Sequence, residues 1–256
     1  MAYRNKFTLV FFALLLPLLA FVSPRATSSR EYEAFVRQTE HLSTASEAVL
    51  RGDLPVDSLR AAVLATRLAY KRTAWRVEYA YPGFAAKHFN GAPLLKTERD
   101  GSQASVVPPE GLQVLDEMVF SETPDLAATL ILAGQLRNAA KQLAPALRAR
   151  TFSKAETIAA ARAAIIGLPT LGLTGFDTPG SGNALPEAAA TLGSLAAVFA
   201  PQTEIGRESL GRQVLALLQH GRSLLAGNAD FDAFDRLRFI REVTEPLLRR
   251  FGPVGK

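Results

Sequence analysis

From Leu59 onward, apolar or small residues fall at Leu59, Val63, Thr66, Tyr70, Thr73, Val77 and Ala80. Alternating steps of four and three keep these side chains on one face of a helix, forming the seam of a packed bundle. No stretch of the chain shows sustained strict alternation, so the pattern of a half-buried strand is missing. The helical period continues through most of the remaining sequence. The fold class it predicts is all-α, an arrangement of two packed helical bundles with about 7–8 helices.

Helix boundaries follow from the residues that break or cap the period. A helix over roughly Ser29 to Leu50 carries Tyr32, Phe35 and Leu42, and the Leu59 helix ends or bends at Pro82-Gly83. Between Asn90 and Pro109 the period vanishes, and Asn90-Gly91, Pro93 and Pro108-Pro109 predict a loop. Helices are then expected from Pro109 or Glu110 to near Phe120, and from Pro124 to near Arg150. The capping-box spacing Ser153-Lys154-Ala155-Glu156 opens another, running to near Leu168. An irregular stretch, Leu173 to Ala184, precedes a helix from Pro186 to near Ala200. Two more are expected near Glu204–Leu225 and Phe231–Arg250, the last with Pro246 as a kink. On the Leu59 helix, Arg60, Arg67, Lys71 and Glu78 form a second stripe. It reads as a solvated face on which Glu78 pairs with an arginine.

Residues 1–28 have the form of a secretory signal. Arg4 and Lys6 supply the basic start, Phe7 to Val22 is nearly all apolar, and Ala26-Thr27-Ser28 offers small residues at a cleavage position. A helix over that run would be roughly 24 Å long, short of the ~30 Å bilayer core, which favours cleavage over a permanent anchor. The expected location is therefore periplasmic or otherwise exported, with membrane contact only through an uncleaved signal. Removing 1–28 deletes Arg4, Lys6 and Arg25 and no acid, so the formal charge falls from +5 to +2. The high isoelectric point thus carries no implication of nucleic-acid binding, and no basic patch with interleaved aromatics points there either. The domain reading is a signal at 1–28 and one helical domain at 29–256. Within it, N-terminal helices 29–89 and C-terminal helices 110–251 flank the loop 90–109.

Several chemistries are excluded by what the chain lacks. It has no cysteine, which removes disulfides, thiolate metal sites, a thiol nucleophile and c-type haem attachment. Its three histidines, His41, His88 and His220, form no pair at helical ligand spacing. No Gly-x-Ser-x-Gly elbow or Ser-x-x-Lys motif is present. Gly180-Ser181-Gly182 has neither a preceding strand nor a closing Lys-Ser/Thr, so it reads as a helix connector. One helical constellation is more informative. In Glu110-Gly111-Leu112-Gln113-Val114-Leu115-Asp116, Gln113 and Asp116 are three apart and share a helix face.

That stretch resembles the Gly-x-His-x-x-Glu motif of the imelysin-like family, with Gly111 matching, Gln113 in place of the histidine and Asp116 in place of the glutamate. The family comprises exported bacterial helical proteins associated with iron uptake or assigned as metallopeptidases. The chain is more specifically similar to the imelysin-like N-terminal region that precedes di-haem cytochrome c peroxidase domains in some bacteria. The matching segments, in order, are Arg67 to Arg72, Glu78 to Pro82, Asn90 to Leu94, Pro109 to Leu115, Gly175 to Pro179, Leu185 to Ala189 and Phe234 to Glu242.

In those fusions two Cys-x-x-Cys-His haem sites follow, whereas this chain has no cysteine, so peroxidase activity does not carry over. The resemblance implies an exported, non-catalytic accessory or interaction module, a free-standing domain or split-gene remnant whose partner is a haem peroxidase or another periplasmic protein. The alternative it implies is a periplasmic metal- or ligand-binding protein with a degenerate Gly-x-Gln-x-x-Asp motif. Its candidate pocket is formed by Gly111, Gln113, Asp116 and Glu78. No catalytic residue and no resident cofactor is expected. An amide and a carboxylate suit a hard divalent cation such as calcium better than iron or zinc.

Overall fold

The computed structural model describes residues 24–100, 103–200, 208–227 and 230–252. The expected export signal lies, through residue 23, outside the described residues. The architecture is all-α: α1 (Pro24–Leu50), α2 (Val56–Ala80), α3 (Pro82–His88), α4 (Leu112–Val119), α5 (Leu126–Ala149), α6 (Lys154–Gly167), α7 (Ala184–Phe199), α8 (Glu208–Ala226), α9 (Arg236–Phe239) and α10 (Glu245–Phe251). Among the described residues no helix is long and apolar enough to cross a membrane.

Two hydrophobic cores form. The first gathers Phe35, Leu42, Leu59, Tyr70, Phe89 and Leu115 with the inner face of α5. Its centre is a set of aromatic edge contacts: Phe35 meets Phe89 at 5.3 Å between ring centroids and Tyr70 at 5.2 Å. The second packs α6, α7, α8 and the α9–α10 rod around Leu192, Leu218, Phe239 and Val243, and Trp75 of α2 belongs to it. Helix α2 therefore serves both bundles. The seam is buried as its spacing predicts, with Leu59, Val63, Thr66, Tyr70, Thr73 and Val77 all inaccessible to solvent.

The opposite stripe departs from expectation in its middle, whereas Glu78 at its end is exposed as expected. Arg67 is wholly buried rather than solvated, because the second bundle covers that face of α2 and supplies carboxylates to it. The packing boundary likewise falls after α5 rather than at 90–109, since α4 and α5 complete the first core with α1–α3.

Local chemistry explains the ends of the elements. Ser153 and Glu156 make the capping box reciprocally, the serine Oγ accepting from Glu156 N and the glutamate from Ser153 N. Helix α5 opens at Asp125, whose carboxylate accepts from Ala128 N at 2.9 Å. The Pro109/Glu110 start is corrected to Leu112. Gly111 has φ +100° and forms an isolated bridge with Asn90, so the helix cannot begin before it. The Phe231 start is corrected to Arg236: Asp230 holds a turn through the amides of Asp232 and Ala233, and Asp235 caps the helix by accepting from Arg238 N. Pro169 lies at the start of one wide π turn, Leu168–Gly172, and Pro246 just after another, Ile240–Thr244, where the missing amide donor is accommodated without breaking the rod.

The predicted loop 90–109 carries a hairpin, β1 (Lys96–Asp100) and β2 (Gln103–Val107), paired antiparallel from Lys96↔Val107 to Asp100↔Gln103. Both strands are only five residues long, and β1 is wholly polar, so neither announces itself by sustained alternation.

The bundles also touch where α1 meets α7. Ser194 Oγ lies 2.9 Å from Glu31 Oε2, 2.5 Å from the Arg72 carbonyl and 3.1 Å from Trp75 Nε1. The indole N–H and the serine hydroxyl are the donors. The single hydroxyl hydrogen cannot serve both the carbonyl and an ionised Glu31, whereas a protonated Glu31 donates to Ser194 and leaves that hydrogen for Arg72. Burial pushes Glu31 up to about 7, against the pull of Ser194, Arg72 and Arg76. A carboxyl raised in the folded state binds more protons folded than unfolded. Its contribution to stability is therefore present at low pH and lost as pH rises from the ordinary carboxylate range toward 7. Glu31→Gln should stabilise the protein by about 1–2 kcal/mol at pH 8 and have little effect at pH 4. Chemical denaturation at the two pH values checks this.

Candidate functional site

Helix α2 is the spine of the site. Arg67 and Lys71, one turn apart, project into the joint between the bundles. The Arg67 guanidinium clamps Glu187 of α7 in a two-point contact, Nε to Oε1 at 2.6 Å and Nη2 to Oε2 at 3.0 Å. It also donates to the carbonyls of Leu112 at 2.9 Å and Asp177 at 2.5 Å, and Asp116 Oδ1 lies 3.7 Å from Nε. One side chain thus ties together α2, α4, α7 and the segment 173–183. Burial works against its charge, but Glu187, Asp116 and Asp177 outweigh that and hold the guanidinium above its ordinary range. Lys71 is 2.5 Å from Asp177 Oδ2 and 3.7 Å from Glu187 Oε2. Burial again opposes the charge, and the carboxylates again win, raising Lys71. Asp177 is lowered in turn: desolvation is overcome by Lys71 and Arg67.

The degenerate motif divides between two tasks. Gly111 provides a close approach: a Cβ there would lie 2.7 Å from the Phe89 carbonyl oxygen, which accepts from Leu112 N at 2.7 Å. Gln113 is buried, and its amide N–H donates to the Phe176 carbonyl. Asp116 is buried too, with its oxygens committed to the connector. Oδ2 accepts from the amides of Gly180 at 2.8 Å and Ser181 at 2.9 Å, and Oδ1 from Ser181 Oγ at 2.5 Å. The segment Gly180–Ser181 thereby acts as a fastener between α4 and α7, and Gly180 lets it come close to the Asp116 backbone. Gln113 and Glu78 line a common cavity, but Asp116 does not border it, so three of the expected donors do not converge. Among the described residues no group of three His, Asp or Glu side chains is placed to hold a metal.

That cavity, about 390 Å³, opens between the bundles. Its polar wall is Lys71, Glu78, Asn90, Gln113, Asp177 and Glu187, and its apolar wall includes Trp75, Leu168, Leu171 and Phe176. Glu78 does not pair with an arginine as its stripe suggested. It accepts from Tyr70 Oη at 3.0 Å, because Arg67 is fully engaged by α7 and Arg60 reaches Asp57 and the Val119 carbonyl. Glu78 borders the cavity and is exposed to solvent, but desolvation by the protein packed around it raises its carboxyl above the ordinary range. The Thr191 hydroxyl, also on the wall, is directed at the main-chain carbonyls of Lys71 and Glu187. The arrangement can bind and orient a small molecule.

The histidines lie away from the cavity. His88 pairs with Glu110 at 2.9 Å, His220 with Glu242 at 2.9 Å on an open face, and His41 is exposed. The residues that sequence reasoning missed are Arg67, Lys71, Asp177 and Glu187. Their local pattern gave no signal of a partner, since each partner lies on a distant element. No protein-family model matches the chain, and no curated protein matches it.

Proposed function

We propose that this chain is an exported, non-catalytic, imelysin-like helical protein that binds a small ligand in the cavity between its two bundles. The observation that carries this reading is the cavity itself. A mixed wall of convergent charged and apolar side chains at a bundle interface is the usual form of a ligand site. The charge cluster behind it fixes the wall. Arg67, Glu187, Asp116 and Asp177 are held by one another and by backbone groups, so the site is preorganised. The family placement rests on the ordered segments from Arg67 to Glu242, and the exported location on the signal-like N-terminus.

Gly167 offers the test. It lines the cavity, and a Cβ built on it meets nothing within 4 Å. Gly167→Leu should fill the cavity from an unstrained backbone and leave the melting temperature within a few degrees of the parent. Screened against a library of small fragments by thermal shift, the parent should give hits that the variant loses. Equal hits on both proteins, or none on either, would contradict the reading.

A second reading, an accessory module that docks on a periplasmic di-haem cytochrome c peroxidase, is favoured by a different feature. An apolar groove of about 530 Å³ lies between the base of the hairpin and helices α4 and α5, lined by Val107, Pro109, Val114, Met118, Ile131 and Leu132. Ile131 is 64% exposed there. Ile131→Asp should abolish co-elution with such a peroxidase while leaving fragment binding intact.

A further inference from the structure

We propose that the ligand of the interbundle cavity is an organic cation, an ammonium group on a compact apolar body, with Glu78 as its counter-ion. The inference rests on the ligand-binding reading above and specifies the chemistry of that site.

The charges of the wall are unequally satisfied. Asp177 and Glu187 are neutralised by Lys71 and Arg67 at ion-pair distance. Among the described residues no cation lies at ion-pair distance from Glu78; the phenol of Tyr70 donates to it, and Lys71 acts on it only from farther away. Counting Arg67 and Lys71 against Glu78, Asp116, Asp177 and Glu187, the joint holds two cations and four carboxylates. An anionic ligand would enter a negative field and find Lys71 already shared by two carboxylates. A neutral ligand would leave Glu78 uncompensated. A cation bearing N–H donors supplies what the wall lacks, a charge-assisted hydrogen bond to Glu78.

A bare divalent ion fits less well. It requires about six oxygen ligands, and the other carboxylates are committed to Lys71, Arg67 and the Gly180–Ser181 amides. Trp75, Leu168, Leu171 and Phe176 instead offer apolar surface to a hydrocarbon body.

The protonation of Glu78 adds a linked property. Burial raises its carboxyl; Lys71 and the Tyr70 hydroxyl on α2 pull it back, and Asp177 from the following segment pushes it further up. The cation binds the ionised form. Affinity should therefore fall as pH drops below the raised value, and around and below that value binding should release protons to the buffer.

Trp75 is the sole tryptophan of the chain and borders the cavity, so its fluorescence reports occupancy. The full chain would be titrated at pH 8 with n-hexylammonium, 1-hexanol and hexanoate, which share one hydrocarbon body. Hexylammonium should saturate at one per chain with at least tenfold higher affinity than hexanol, and hexanoate should be weakest. Glu78→Gln keeps an acceptor for Tyr70 and removes the charge. It should reduce hexylammonium to the hexanol level without lowering the melting temperature. If hexanol or hexanoate binds as tightly as the amine, or Glu78→Gln leaves the preference intact, the cation assignment fails while the ligand cavity stands. Calcium that alters Trp75 emission and is lost in Glu78→Gln would replace the organic cation with a metal. If none of these probes perturbs Trp75, the cation assignment fails, and if the parent also gives no fragment hits beyond those of Gly167→Leu, the ligand-binding reading falls with it.

Discussion

Arg67→Met should destabilise the protein by about 3–5 kcal/mol, read as a fall in the denaturant midpoint with the slope unchanged. The magnitude comes from what the substitution leaves behind. Glu187 loses both of its guanidinium bonds, Asp116 loses its nearest cation, and the carbonyls of Leu112 and Asp177 lose a donor, all in the joint between the bundles. Lys71, already 3.7 Å from Glu187, cannot close on it to replace the clamp without releasing Asp177. A double variant, Arg67→Met with Glu187→Met, should recover a large part of the loss, since replacing a buried pair with apolar groups costs less than orphaning one partner. If the single substitution costs under 1 kcal/mol, the joint is wet and the clamp is not what aligns the bundles.

Gly111→Ala is expected to cost about 3 kcal/mol or more, through two effects that add. The φ of +100° is one that an L side chain rarely adopts, and the new methyl would lie 2.7 Å from the Phe89 carbonyl oxygen and 2.9 Å from its carbon. Backbone must move for it to fit. The Asn90–Gly111 bridge and the Leu112 N to Phe89 O bond would loosen, shifting the start of α4 and the Gln113 wall of the cavity. Thermal denaturation measures the first consequence, and weaker hexylammonium binding in the folded variant measures the second.

Gly111 also shows where a sequence stops being legible. Its place at the head of Gly-x-Gln-x-x-Asp was visible, and so was the shared helix face of Gln113 and Asp116. The reason for the glycine lies in Phe89, a residue more than twenty positions earlier, and no local pattern carries that. Helix α2 divides in the same way. Its seam follows from spacing alone, because a bundle core needs apolar residues at steps of three and four. Arg67 and Lys71 on the other face look like solvated charges until Glu187 and Asp177 arrive, across sequence separations of 120 and 106 residues. Burial of a charge is decided by its partners, and partners are a property of the packing. The capping box at Ser153 was readable because all of its atoms lie within one turn. The hairpin at 96–107 was not, since β1 is wholly polar and β2 alternates over only four residues.

The ligand reading itself would be tried by native mass spectrometry of the full chain isolated gently from cells that produce it, beside Gly167→Leu handled identically. A single small molecule of basic character retained at one per chain by the parent, and absent from the variant, is the expected result. A bare polypeptide mass for both proteins, with no adduct formed on adding hexylammonium, would contradict it.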